Sequence, residues 1–113
     1  MTENQLKLLY DIKLAIDEIE SYFETKSRTY DNYKKNSLLK RAIERNIEII
    51  GEAMSKLLKD DPAFPIENAK KIIGLRNQII HGYDSISDET VWGVISNHLP
   101  KLKSVVDSMI SNK

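Results

Sequence analysis

The stretch "RNQIIHGYD", residues 76–84, places an arginine, an asparagine, a histidine and a tyrosine within eight positions. The guanidinium of Arg76 offers a fixed fork of donors to phosphate oxygens, and the imidazole of His81 can take and return protons near neutral pH. The amide of Asn77 can orient either group. Arg76, Asn77 and His81 are therefore candidate catalytic residues for chemistry at a phosphodiester.

The composition argues that this chemistry uses no metal and no other cofactor. The chain has two histidines, not at metal-ligand spacing, and no cysteine. The attacking group would then come from the substrate, as the 2′-hydroxyl of RNA can. A plainer interpretation also stands, because a histidine at a helix end often only caps carbonyl groups.

The spacing of Arg76 and His81 constrains how they could meet. Five helical steps rotate a side chain by about 140°, so the two would not share one face of a continuous helix. Gly82 is expected to end the helix in a left-handed conformation, which relaxes that constraint. His81 can then swing toward Arg76 and Asn77, or each residue can meet its counterpart across a symmetric dimer axis.

Hydrophobic periodicity predicts four main helices: residues 3–24, 37–59 and 66–80, and a last helix that opens near "SISDETVW". A connection with a short helical turn is expected between the first two, with Ser37 as the cap of the second. Gly51 is expected to admit a neighbouring helix closely. The fold class is therefore all-α, an antiparallel bundle of four to five helices.

The later helices have specific predicted faces. The third should bury its apolar members, which are Ile66, Ala69, Ile72, Ile73, Ile79 and Ile80. The last should begin at a Ser87 cap and be kinked or divided at Pro100. Its predicted inward positions are Val91, Ile95, His98, Leu102, Val105 and Met109.

Length and charge narrow the protein class. A chain of 113 residues fits a single domain, 1–113, and 17 basic against 17 acidic residues provide no global positive field for nucleic acid. A local basic segment, residues 26–45, could border a phosphate site or be a solvated helix face. The start, "MTENQLKLLYDIK", does not resemble a signal peptide, and no segment approaches a membrane span, so a cytoplasmic protein is expected.

The same residues carry a family resemblance. "RNQIIHGYD" resembles the signature of HEPN-domain proteins, in which an arginine and a polar residue precede a histidine four to six positions later. With the tyrosine two places beyond, Arg76, His81 and Tyr83 fit the HepT-like branch. The segments "RAIERNIEIIGEAMSKLL" and "GLRNQIIHGYDSISDETVWGVISNHLPKLK" are similar to that branch's central helix and the two that follow.

The resemblance implies an all-helical homodimer, or an assembly of dimers, that is the toxin of a HepT/MNT type VII toxin–antitoxin pair. Its implied activity is metal-independent endoribonuclease cleavage where both protomers' motifs meet, with Arg76 steadying phosphate charge, His81 as acid or base and Asn77 orienting them. The implied partner is an MNT-type nucleotidyltransferase antitoxin, which transfers AMP to Tyr83. The alternative is a non-catalytic helical interaction module that binds a nucleotidyltransferase or a nucleotide.

Overall fold

A computed structural model describes residues 1–66, 69–82 and 86–112, and within these ranges the chain is helical and contains no strand. This confirms the predicted all-α class. The elements are α1 (Glu3–Ser21), α2 (Tyr30–Lys34), α3 (Ser37–Asp60), α4 (Ala69–Ile80), α5 (Asp88–Gly93), a π-helical turn (Val94–His98) and α6 (Leu99–Ser111). None of the helices in the described ranges is long and apolar enough to span a lipid bilayer.

Helix α1 begins at a capping box. The Thr2 hydroxyl accepts a hydrogen bond from the Gln5 backbone, and the Gln5 side chain accepts one from the Thr2 backbone, so two N–H groups at the helix start are satisfied. An apolar stripe of α1 is buried against α3 and α6 at Leu9, Ile12, Ile16 and Ile19. Phe23 follows the helix end and is only half-buried.

The start of α3 differs from the prediction by one residue. The Asn36 side chain, and not Ser37, caps the helix by accepting a hydrogen bond from the Leu39 backbone at 3.0 Å. Ser37 is the first residue inside the helix. Asparagine and serine cap about equally well, so the adjacent pair leaves the choice to backbone geometry, which is extended at Asn36.

Helix α4 packs along α3, but the predicted burial of one of its residues is wrong. The predicted Ala69 and Ile72 are buried, Ile73 and Ile79 are half-buried, and Ile80 is 48% exposed. Leu75, which was not predicted, is also buried. Ile80 is the last residue of α4 and lies beside the exposed His81 and Gly82, where the helix ends. The helix was predicted to start at Ile66, but Ile66 is buried and not helical. Residues 67–68 lie outside the described ranges, and α4 is described from Ala69.

The last helical run is divided before Pro100, as predicted. Ser87 caps α5 by accepting from the Thr90 backbone, and the Leu99 N–H bonds five residues back to the Val94 carbonyl. This π turn adds one residue to the helical repeat and shifts the inward face. Beyond it, Leu102 is buried as predicted. Leu99 and Val106 are also buried, whereas the predicted His98, Val105 and Met109 are only half-buried.

Candidate functional site

The stem of Arg76 lies against α3 at Gly51. A Cβ atom placed on Gly51 would be 2.5 Å from Cβ and 2.9 Å from Cγ of Arg76, and 3.4 Å from the carbonyl oxygen of Ile72. No ordinary side chain fits in that space, which confirms the close helix approach expected at Gly51. The sequence did not indicate that the approaching residue would be Arg76.

The guanidinium of Arg76 has few protein partners. Its Nε is buried and has no hydrogen-bond partner, while Nη1 donates to Oδ1 of Asn77 at 3.0 Å. In the described part of the chain no carboxylate forms an ion pair with Arg76. Its positive charge is therefore not neutralised by these residues, and its donors suit an anion such as a phosphate.

His81 follows the last residue of α4 and folds back on the helix. Its Nδ1 lies 2.7 Å from the carbonyl oxygen of Asn77, and its backbone N–H donates to the same oxygen at 3.1 Å. A carbonyl oxygen can only accept, so Nδ1 carries the hydrogen in this contact. In the neutral imidazole the proton-accepting nitrogen is then Nε2.

Asn77 connects the other two predicted site residues. Its side chain accepts from Arg76 and its carbonyl oxygen contacts the ring of His81. Arg76 and His81 are therefore both hydrogen-bonded to Asn77, and the imidazole is turned back toward the helix. Asn77 and His81 are exposed and Arg76 is half-buried, so the cluster faces solvent.

Gly82 ends α4 in the left-handed conformation that its sequence position indicated, with φ of 65°. The fourth predicted residue, Tyr83, lies outside the described residues. The chain is described again from Ile86, and Asp88 at the start of α5 pairs with Lys40 of α3 at 3.2 Å. Among the described residues, no group of three or more histidine, aspartate or glutamate side chains is placed to hold a metal ion.

Comparison with known proteins gives a consistent set of matches. A family model described as "Ribonuclease HepT-like" matches residues 12–109. The protein named "Putative RNase MJ1216" of Methanocaldococcus jannaschii is 32% identical over 105 residues, which cover 92% of this chain and 85% of that protein. From the same organism, "Putative RNase MJ1380" is 33% identical over 110 residues, covering 95% of this chain and 98% of its own length.

A relative from a second organism extends the set. "Putative RNase TTE0752" of Caldanaerobacter subterraneus is 29% identical over 103 residues, 87% of this chain and 89% of that protein. No solved structure gives a significant match to the chain.

Proposed function

The chain belongs to the HepT-like ribonuclease family, and on that basis we propose that it is a metal-independent endoribonuclease whose single domain is the toxin of a toxin–antitoxin pair. The observation that supports this best is the cluster of Arg76, Asn77 and His81. It combines an arginine without a carboxylate partner among the described residues and a histidine whose tautomer is set by a backbone carbonyl.

In the proposed reaction, Nε2 of His81 takes the proton from a ribose 2′-hydroxyl, and the 2′-oxygen attacks the adjacent phosphorus. The bond from phosphorus to the 5′-oxygen breaks, leaving a 2′,3′-cyclic phosphate and a 5′-hydroxyl. Arg76 stabilises the charge that grows on the phosphate oxygens. Asn77 orients the guanidinium of Arg76 and the imidazole of His81 relative to each other. The RNA supplies its own nucleophile, so the step requires no metal-bound water.

The leaving 5′-oxygen needs a proton, and one histidine per site cannot serve as base and acid in the same step. We place the site where two copies of the chain meet, so that His81 of a second copy supplies this proton. The exposed Ile80 and the half-buried Ile73 lie on the flank of α4 next to the cluster. An apolar flank of this kind suits contact with a second copy, making the proposed protein a homodimer.

We propose that the ribonuclease activity is switched off by transfer of AMP from ATP to Tyr83, carried out in the cytoplasm by an MNT-type nucleotidyltransferase antitoxin. Tyr83 is two positions beyond His81 in sequence. An adenylate attached there would bring a bulky anion to the site, and it would exclude RNA by steric overlap and like charge. Incubation with ATP and the partner should add adenylate mass to the peptide that contains Tyr83, and Tyr83→Phe should prevent it.

The nuclease proposal is tested with purified protein and RNA in the presence of a chelator. Wild type should cleave, and His81→Ala should lower the rate by about 10² to 10⁴, the usual contribution of a general acid or base. His98→Gln alters the other histidine of the chain and should retain activity. Equal cleavage by wild type and His81→Ala would indicate a contaminating nuclease, and the helical interaction module would then be the better interpretation.

A further inference from the structure

From the contact between α3 and α4, we infer that Gly51 is a positioning residue that holds the guanidinium of Arg76 at the site. The inference rests on the proposed function, because it assigns Gly51 a part in placing the phosphate-binding group. Gly51 is buried in the middle of α3 and lies beneath the stem of Arg76, not beside its charged end.

The charged end of Arg76 has little else to hold it. Its Nη1 donates a hydrogen bond to the exposed Asn77 side chain, and no ion pair to a described residue fixes it. Water competes for an exposed bond of this kind, so it constrains a long side chain only weakly. The closely packed stem is therefore the stronger constraint, and the space for it exists because residue 51 has no side chain.

The glycines of the other helices differ from Gly51. A Cβ atom placed on Gly74 in α4 or on Gly93 in α5 meets nothing within 4 Å. Glycine weakens a helix interior relative to alanine, and at Gly74 and Gly93 no neighbouring atom explains its presence. At Gly51 the neighbouring atoms do explain it, and they belong mainly to a candidate catalytic side chain.

An alanine at position 51 would displace the whole Arg76 side chain, beginning at its Cβ atom. The nearest atom is the Cβ of Arg76, which is bonded to the backbone, so a rotamer change cannot relieve the overlap. Carbon atoms pack at about 3.5 to 4.0 Å, so α4 must move by about 1 Å or more from α3. A misplacement of about 1 Å at a reacting group can lower a rate by about 100-fold.

The first test compares Gly51→Ala with Gly74→Ala, a matched control on the helix that carries Arg76. Gly51→Ala should lower kcat for RNA cleavage by about 10- to 100-fold and change KM less, because the guanidinium is needed most as charge develops. Gly74→Ala should keep both constants within about twofold. Circular dichroism and thermal unfolding establish the folded fraction of each variant. A folded Gly51→Ala with wild-type kcat would overturn the inference.

The second test does not depend on cleavage. The Nε–H of Arg76 is buried, so its ¹H–¹⁵N signal should exchange slowly with water in wild type and in Gly74→Ala. Arg76→Lys identifies the signal by removing it. Exchange should become at least about tenfold faster in Gly51→Ala, and equal protection there would overturn the inference. If wild type shows no His81-dependent cleavage, the proposed function fails while this measurement still decides the positioning of Arg76.

A third test covers the case in which Gly51→Ala does not fold, and it uses two other variants. Arg76→Gly leaves the space beside Gly51 open, whereas Gly51→Ala combined with Arg76→Gly fills it and removes the overlapping Cβ of Arg76. Added methylguanidinium should restore cleavage in Arg76→Gly at least about tenfold better than in the double variant. Equal restoration would show that the space at Gly51 does not place the guanidinium.

Discussion

The carbonyl oxygen of Asn77 accepts two hydrogen bonds from His81, one from the backbone N–H at 3.1 Å and one from Nδ1 at 2.7 Å. The same residue accepts from Arg76 through its side chain. The backbone of Asn77 therefore sets the tautomer of His81, and its side-chain amide accepts a hydrogen bond from the guanidinium of Arg76. These two roles can be separated by mutation.

Replacing Asn77 with alanine should lower kcat by about two- to fivefold and leave the fold intact. The change removes the acceptor for Arg76 but keeps the backbone carbonyl that contacts His81, and an exposed bond to a charged donor is worth roughly 0.5 to 1 kcal/mol. Steady-state cleavage with kcat and KM measured separately tests this. Gln78→Ala is the control, because Gln78 is the next residue and is also exposed.

Asn77→Asp should lower cleavage more than Asn77→Ala. A carboxylate there would pair with Arg76 and place a negative charge where the RNA phosphate is expected to bind, which opposes substrate binding. KM should therefore rise in addition to the fall in kcat. An Asn77→Asp enzyme as active as Asn77→Ala would mean that Arg76 does not act on the phosphate.

The sequence predicted the members of the site better than their arrangement. Residue types and the glycine at position 82 indicated that His81 would lie at a helix end. They left open whether the imidazole folds back or faces a twin copy, because that depends on a side-chain rotamer that helical periodicity does not encode. The pattern likewise indicated a close helix approach at Gly51 but not its partner, since pairing across helices depends on their relative rotation and translation.

The fold was predicted well where periodicity is regular, and less well where the backbone departs from the α-helix. The extent of α3 was correct to within one residue at its end. In the last helical run, the predicted residues Val91, Ile95 and Leu102 are buried, but Leu99 and Val106 are buried instead of their predicted neighbours His98 and Val105. A fixed period of 3.6 residues cannot anticipate the residue that the π turn inserts.

Arg28 should stabilise the protein by bonding a backbone carbonyl that Pro100 leaves without a helical partner. If the π-helical pattern continued by one residue, the Ile95 carbonyl would accept from the backbone nitrogen of Pro100, but proline has no N–H to donate. Nη2 of Arg28 donates to the Ile95 carbonyl instead, at 2.7 Å. Arg28→Ala should therefore lower the free energy of unfolding by about 1 to 2 kcal/mol, measured by urea denaturation. Lys26→Ala, an exposed change two residues away, should have little effect.

A double-mutant cycle tests this explanation directly. Pro100→Ala restores a backbone N–H at position 100, so the Ile95 carbonyl gains another possible donor. Arg28→Ala should then cost less in the Pro100→Ala background than in wild type. Equal costs in the two backgrounds would show that Arg28 stabilises the fold by some other contact.

Tyr30 should make stability depend on pH in the alkaline range. Its hydroxyl donates to Glu89 at 2.8 Å, and burial together with Glu89 raises the pKa of Tyr30 from 10.0 to about 12. Because the folded pKa is raised, this stabilisation is complete below the unfolded pKa of Tyr30 and is lost as the pH rises through the folded pKa. The free energy of unfolding should fall between about pH 10 and pH 12.

Tyr30→Phe isolates this contribution, because it removes the titrating hydroxyl and leaves the other groups of the alkaline range in place. Urea denaturation of the variant should show a shallower decline with pH than wild type. When the tyrosines are titrated by ultraviolet absorbance, the variant should lack a phenolate signal that in wild type appears well above the ordinary pKa range of tyrosine. Parallel stability curves for the two proteins would rule out the Tyr30–Glu89 bond as the cause.

Replacing Ile80 with aspartate should separate the proposed dimer and abolish cleavage together. Ile80 is 48% exposed beside His81, and a charge buried without a partner in an interface is strongly unfavourable. The dimer dissociation constant should rise at least about tenfold, or ~1.4 kcal/mol, by analytical ultracentrifugation. Leu14→Asp adds the same charge at a 59% exposed residue of α1 and should leave both association and cleavage unchanged. An Ile80→Asp protein that stays dimeric would place the two-copy contact elsewhere, and one that is monomeric yet fully active would show that a single copy completes the site.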